Sequence, residues 1–519
     1  MTDVAKDSGA GAADRCRADD TSAIPGLPTS FTRDGRPTNL VFALVAVVAV
    51  VAALAVGVLG YGAPLPLMMV VGFCIALAAA ALRGVRYADA ETAAFDMIRR
   101  GFQPLLIFVA VGALIGSWIL SGTVPTMIYL GVELINPSFF LPTAILLCTI
   151  TSFINGTSFG TVATIGLALM GVASALDIPA GVAAGAIVCG AVFGDKMSPV
   201  SDTTILAAGL SNVPLVAHIR HMMWTTIPAI VMSLVFFIVI GAGYDTDATG
   251  LDRVGQVSDG LSEAFSIGWV PLIPPLLVFA LLIARMEAFP ALVSGVVAGV
   301  VVAVFYQGVD LSTTLTALWN GFVPTAAQAD VADLVGGGET GGALKMLGLA
   351  SIVIFALGIA GALSAAGVLQ SILTALEPHC RTPRRLVPAT LGLTALFNVV
   401  GGAVNFATAM GITLLRPLYD GQQLDRKNLS RAAEDAGTTT GPLVPWNASA
   451  VFTAASLGVS VGTYAPWALF CYLTPLVSLL YGLTGWTIHR NPAAATDDMP
   501  GAAGNTAGAT EDSGQRAPA

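Results

Sequence analysis

Two carboxylates and one ammonium stand together in Gly194-Asp195-Lys196-Met197-Ser198-Pro199-Val200-Ser201-Asp202-Thr203-Thr204. The stretch lies between apolar runs, since Ala180 to Phe193 before it and Met222 to Gly243 after it carry no charge. Charge at membrane depth is costly, so it is kept where it lines a pathway. Asp195 and Asp202 are seven apart, two turns, and an unbroken helix would carry both on one face. Pro199 predicts a break instead, because it offers no N–H to the carbonyl of Asp195. Interrupted helices flanked by Ser, Thr and Asp oxygens are how membrane proteins build Na+ and H+ sites. Asp202 is therefore the expected coupling carboxylate, with Asp195 second and Ser198, Thr203 and Thr204 supplying neutral oxygens. An exposed Asp titrates at about 3.9, so a proton competes with Na+ near neutrality only at a carboxylate in a dry site.

A second stretch has the same character: Leu429-Ser430-Arg431-Ala432-Ala433-Glu434-Asp435-Ala436-Gly437-Thr438-Thr439-Thr440-Gly441-Pro442-Leu443-Val444-Pro445-Trp446-Asn447. Pro442 and Pro445 predict another break, with the carbonyls of Thr438 and Gly441 left free. Thr438, Thr439, Thr440 and Asn447 add neutral oxygens of the kind hard cations take. Glu434 and Asp435 lie a turn in from basic residues; they either line the cytoplasmic mouth or pair with Lys196. Asn155 and Asn398 precede the two stretches as hinge formers or ion ligands. His218 and His221 flank Arg220 and read as surface anchors in a loop.

The elements that position these residues follow from composition. Of 519 residues 55% are hydrophobic and 11% charged, against about 25% charged in soluble proteins. Mean hydropathy is +0.80. The class is an all-α polytopic membrane protein of about 12–14 helical membrane segments. Apolar segments run at about 39–60, 65–83, 103–121, 138–156, 157–176, 180–210 (broken) and 222–243. A second set runs at 269–285, 288–307, 346–362, 384–400, 402–416, 429–459 (broken) and 463–487. Two pieces, 124–136 and 364–376, are too short to span and read as re-entrant or interfacial. Basic residues collect in the N-terminal tail and in the connections holding Arg83 and Arg86, Arg220, Arg381 and Arg426. The loops 244–268 and 308–345 are acidic. The excess of Lys and Arg on one side places those connections and both termini in the cytoplasm and the acidic loops outside.

The expected division is a disordered cytoplasmic tail over 1–38, a first membrane repeat over 39–243, and an extracytoplasmic loop over 244–268. A second repeat covers 269–487, and a disordered cytoplasmic tail covers 488–519. The repeat shows in the sequence: Asn155 precedes Pro199 as Asn398 precedes Pro442, at an offset of 243. Seven segments per unit make the two halves inverted, and paired broken helices at their interface suggest alternating access. The six cysteines and four histidines form no metal or disulfide spacing, so no metal centre beyond transported Na+, no cofactor and no enzyme is expected. The net charge of −9 says nothing about nucleic acid, and with no basic stripe in the sequence no nucleic acid partner is expected. The expected partners are Na+, H+ and the lipid bilayer, with a homodimer left open.

The stretch Gly194 to Thr204, followed by His218-Ile-Arg-His-Met-Met-Trp-Thr-Thr-Ile-Pro228, resembles the signature of the NhaC-type Na+/H+ antiporter family. Leu429-Ser-Arg to Gly441-Pro-Leu-Val-Pro-Trp-Asn447 resembles that family's second signature, and Asn155-Gly-Thr-Ser-Phe-Gly160 fits as well. The resemblance covers roughly 40–487. It implies a Na+-linked secondary carrier in the cytoplasmic membrane of a prokaryote. Gly441 departs from the family pattern, where a small polar residue is as common, which removes a side-chain ligand at that position. The expected function is Na+/H+ antiport by alternating access. The alternative is a Na+- or H+-coupled exchanger of a small organic anion or amino acid.

Overall fold

The computed structural model describes residues 39–490 except 101, 135, 245–247, 325–327 and 329–340. The tails expected at 1–38 and from 491 onward lie outside the described residues. Helices account for the described architecture, and an isolated β-bridge joins Leu424 to Arg490. Eight helices among them are long and apolar enough to cross a bilayer. Two more pairs meet that test together across a sharp bend: Leu105–Leu120 with Thr123–Glu133 at 69°, and Ala448–Leu457 with Val461–Trp467 at 87°. Their composition leaves no polar face to hydrate, so their backbones must satisfy themselves as helices.

Local chemistry sets the ends that matter. Asn136 accepts from Ser138 N and opens Pro137–Asn155, which closes on Gly156 at φ +68. Pro383–Gly401 closes the same way on Gly402 at φ +59. A left-handed residue at the helix end costs glycine nothing and other residues more. These two glycines turn the chain into Ser158–Ala175 and Val404–Gly421, the helices that carry it back toward the two broken segments.

The broken segments form as expected. The first has an upstream half, Ala180–Met197, and a downstream half, Asp202–Ser211. The second has Arg426–Thr440, a 3-10 turn over Gly441–Leu443, and Ala448–Leu457. The halves cross between repeats. Asp202–Ser211 packs on Val404–Gly421, and Ala448–Leu457 packs on Val162–Gly166. That reciprocal exchange is the geometry of two inverted units sharing one site.

Several boundaries differ from the sequence reading. The repeat register is 246 rather than 243 at the site. Ser152 and Asn398, which donate to Ala191 and Gly437, are 246 apart, as are Gly156 and Gly402, and Ser201 and Asn447. Pro199 thus matches Pro445 and not Pro442. The short pieces 124–136 and 364–376 are the helices Thr123–Leu134 and Val368–Leu376, each following a longer helix across a positive-φ glycine, Gly122 or Gly367. Two connections read as loops hold helices, Tyr87–Arg100 and Ala248–Ala264. The helix expected from 222 begins at Leu215, so His218, Arg220 and His221 are inside it. The last long helix, Leu469–Thr484, starts after the 87° bend and not at 463. Residues 488–490 are docked, with His489 O accepting from Asp425 N at 3.0 Å and from Asn428 Nδ2 at 2.6 Å.

Candidate functional site: an ion cavity at the crossed broken helices

The first break is held by its own oxygens. Pro137–Asn155 lies so close along Ala180–Met197 that Gly190 and Gly194 face the carbonyls of Ile145 and Thr149 with no room for a side chain. Beyond Met197, Ser198 and Ser201 are extended with a turn between them. The Asp195 carbonyl that Pro199 deprives of a helical partner is not free, because Ser198 N donates to it at 3.1 Å. Thr204 Oγ1 donates to the Lys196 carbonyl at 3.1 Å. Ser198 Oγ donates to Phe153 O at 2.7 Å and accepts from Val200 N at 3.3 Å. Ser198, expected as an ion ligand, donates its hydroxyl hydrogen to backbone left over by the break, and Thr204, expected likewise, has the Lys196 carbonyl and Glu434 Oε1 as alternative acceptors for its own.

The second break is closed similarly. Asn447 Oδ1 accepts from Ser449 N and caps Ala448–Leu457, while its Nδ2 donates to Asn398 Oδ1 at 3.0 Å. Asn398 Nδ2 donates in turn to Gly437 O at 2.6 Å and to Thr440 Oγ1 at 2.9 Å. Asn447 thus caps the helix with one lone pair of its side-chain oxygen, and the second lone pair is left for the ion-ligand role expected of it. Thr439 Oγ1 donates to Asp435 O at 2.5 Å, and Val444 N donates to Gly441 O at 3.2 Å. Pro442 O, exposed by the turn, accepts from Tyr464 Oη at 2.6 Å. Pro445, at the turn that follows, is exposed.

Where the two breaks face each other lies a cavity of about 980 Å³. Asp195, Asp202, Asn155, Ser158, Thr438 and Ser449 line its polar part. Asp195 is 6% exposed and takes three donors: Ser201 Oγ at 2.6 Å, Ser158 Oγ at 2.7 Å and Ser158 N at 3.0 Å. The last of these is a first-turn N–H of Ser158–Ala175, a place where a helix favours negative charge. Asp202 differs from its expected dry setting. It is exposed to the cavity, with one side-chain donor, Asn405 Nδ2, at 2.9 Å. Both side-chain atoms of Asn155 and the hydroxyl of Thr438 are buried without a hydrogen-bond partner. Buried polar atoms are nearly always satisfied, so three orphans around one cavity are informative. Arg285 and Glu287, both exposed, also border the space.

Behind the cavity is a charged network. Lys196 Nζ is 3.1 Å from Asp435 Oδ1, both side chains fully buried, so of the two arrangements open for Asp435 the fold has the ion pair. Asp435 Oδ1 also accepts from Thr225 Oγ1 at 3.0 Å, and Arg431 Nε stands 3.9 Å from Oδ2. Glu434 does not line the cytoplasmic mouth. It is fully buried and accepts from Thr204 Oγ1 at 3.1 Å and Thr203 Oγ1 at 3.5 Å, while its Oε2 is 2.6 Å from His218 Nε2. Thr203 borders the cavity, and its hydroxyl lies 3.0 Å from Ser201 Oγ and 3.5 Å from Glu434 Oε1. His218 and His221, read as surface anchors, are buried. The run His218-Ile-Arg-His221 looks like a membrane-surface loop, and nothing in the spacing ties His218 to a glutamate 216 residues on.

Comparison with known proteins gives the family of the chain. The sequence profile of the Na+/H+ antiporter family matches residues 190–486, which include both broken segments. The chain is 37% identical over 425 residues to the Na+/H+ antiporter NhaC of Alkalihalophilus pseudofirmus, covering 81% of this chain and 91% of that one. It is 38% identical over 410 residues to NhaC of Bacillus subtilis, 79% of this chain and 90% of that one. It is 37% identical over 435 residues to the malate-2H+/Na+-lactate antiporter of the same organism, 83% and 92%. With apolar spans, crossed broken helices and similarity of this extent, the chain is a multi-pass membrane protein that belongs to the Na+/H+ antiporter family.

Proposed function

We propose that this protein exchanges Na+ for H+ by alternating access, with the cavity between the broken helices as the ion site. The observation that carries the reading is the convergence of two carboxylates and three unpartnered buried polar atoms on one space. Asp202, reachable from the cavity, takes the incoming cation. Asp195 stands behind it, and Asn155 Oδ1 and Thr438 Oγ1 supply neutral oxygens. A hard cation suits that donor set. Na+ and a proton are alternatives at this pair of carboxylates because both neutralise the same charge, and Asp195, the buried member, is where the proton competes. The repeats 39–243 and 269–487 would rock about the site, with both termini cytoplasmic and 244–268 and 308–345 outside.

A second reading has its own observation. A cavity of about 980 Å³ far exceeds one Na+, and one relative is named as a malate-2H+/Na+-lactate antiporter. An organic solute would bind beside the same ion site. The test is an imposed proton gradient in proteoliposomes. Na+ or Li+ alone collapses it under the first reading. No collapse until a carboxylate or amino acid is added selects the second.

A further inference from the structure

Glu434, His218 and Ser430 are buried, titratable or hydrogen-bonding, and unused by the ion cavity. Their geometry is that of a proton store. His218 Nε2 lies 2.6 Å from Glu434 Oε2, and His218 Nδ1 lies 2.8 Å from Ser430 Oγ. Ser430 Oγ is also 3.2 Å from Lys427 O. A hydroxyl has one hydrogen, so Ser430 donates either to His218 Nδ1 or to the Lys427 carbonyl. In the first case His218 is neutral, with Nε2–H donated to the Glu434 carboxylate. In the second, Nδ1 carries its own hydrogen and donates to Ser430, and Nε2–H still bonds Glu434, so the pair holds one more proton. Rotation of one hydroxyl separates the two states; no heavy atom need move.

We propose that His218, Glu434 and Ser430 form a second proton-binding site behind the cavity, and that its occupation disfavours Na+ at Asp202 and Asp195. The charges around it make the effect one of sign. Lys196 and Arg431 balance Glu434 and Asp435 when His218 is neutral, so the extra proton leaves the buried group with a net positive charge. Around it stand Lys427, paired with Asp425 at the start of its own helix, His221 on Leu215–Gly241, Tyr419 and Tyr481 beside Arg431, and His489 of the docked C-terminal segment. Glu434 is tied through Thr203 and Thr204 to the first turn of Asp202–Ser211. A proton there adds positive charge beside the turn that presents Asp202. Na+ in the cavity and a proton on the pair therefore repel each other, and by linkage each weakens the other's binding to the same degree.

The inference rests on the antiport reading and is separable from it. The apparent Na+ affinity is measured as a function of pH by 22Na+ counterflow in proteoliposomes of the full chain. One proton competing at the cavity carboxylates changes the affinity by at most about tenfold per pH unit, and two protons by up to about a hundredfold. The wild type is expected to exceed tenfold per unit over part of the range. His218→Gln, which hydrogen-bonds but takes no proton, is expected to bring the slope to tenfold or below. Ser430→Ala removes the partner of the protonated form and should move the steep region to lower pH, which serves if His218→Gln does not fold. A wild-type slope that never exceeds tenfold, or a His218→Gln loss of affinity that is the same at every pH, would overturn the second site. Na+-dependent proton flux in the same vesicles reports independently on the antiport reading.

Discussion

Lys196 and Asp435 join the two broken helices, one residue from each, with both side chains wholly buried and their charges 3.1 Å apart. Removing one partner of a buried pair leaves an uncompensated charge and costs about 3–5 kcal/mol, whereas removing both is often close to neutral. Lys196→Met leaves Asp435 with Thr225 at 3.0 Å and Arg431 at 3.9 Å, which places its cost near the lower end, about 3 kcal/mol. Asp435→Asn leaves Lys196 and Arg431 facing Glu434 alone, and its cost lies nearer about 5 kcal/mol. In the double variant Arg431 and Glu434 balance again, so its cost should fall short of the sum by about 2 kcal/mol or more. Cys148, Cys189 and Cys471 are buried, so a thiol-reactive dye reports thermal unfolding of the purified protein. The expected order of midpoints is wild type, Lys196→Met, then Asp435→Asn, with the double variant well above the additive value. Additive losses would show that the two charges do not stabilise each other, and with that the joint between the repeats would lose its physical basis.

Other outcomes follow from the same geometry. Asp202→Glu keeps the titrating group and should retain exchange with a displaced pH profile, measured as Na+-dependent proton flux. Gly156→Ala places a side chain at φ +68 with its Cβ 2.8 Å from the Val200 backbone; a loss of at least about 1 kcal/mol is expected in the same unfolding assay. A cysteine at Ser258 in a cysteine-free background should react with an impermeant maleimide only from outside the cell, and labelling only from the cytoplasm would reverse the orientation.

Much of the site was legible because proline and charge speak locally. Pro199 and the Pro442–Pro445 pair located both breaks, and Asp195 and Asp202 stood out against uncharged flanks. What was not legible is partnership across the fold. Asn447 reads as one more oxygen in sequence, but its position at the start of Ala448–Leu457 makes it a cap. Ser198 and Thr204 read as oxygens only, and their donation to the break's own backbone shows only in the fold. Asp202 reads as dry because the stretch around it lies between long uncharged apolar runs, yet the turn at Ser198–Ser201 swings it onto the cavity. His218 was hidden by the arginine beside it, and only the packing of Leu215–Gly241 against Arg426–Thr440 brings it to Glu434. The repeat offset was misread by three residues because glycine and proline are frequent enough here to align in more than one register. The hydrogen bonds from Ser152 and Asn398 fix it.

The central claim is that the cavity carboxylates bind Na+ in exchange for a proton, and Asp202→Asn tests it most directly. The substitution keeps the shape and removes the charge that faces the cavity. Wild-type protein and the variant are reconstituted side by side, with 22Na+ uptake and internal pH followed in the same vesicles and no organic solute present. The account predicts that the wild type moves Na+ in and protons out together, and that the variant, inserted and folded normally, does neither. Full exchange by Asp202→Asn, with wild-type Na+ affinity and pH dependence, would contradict it.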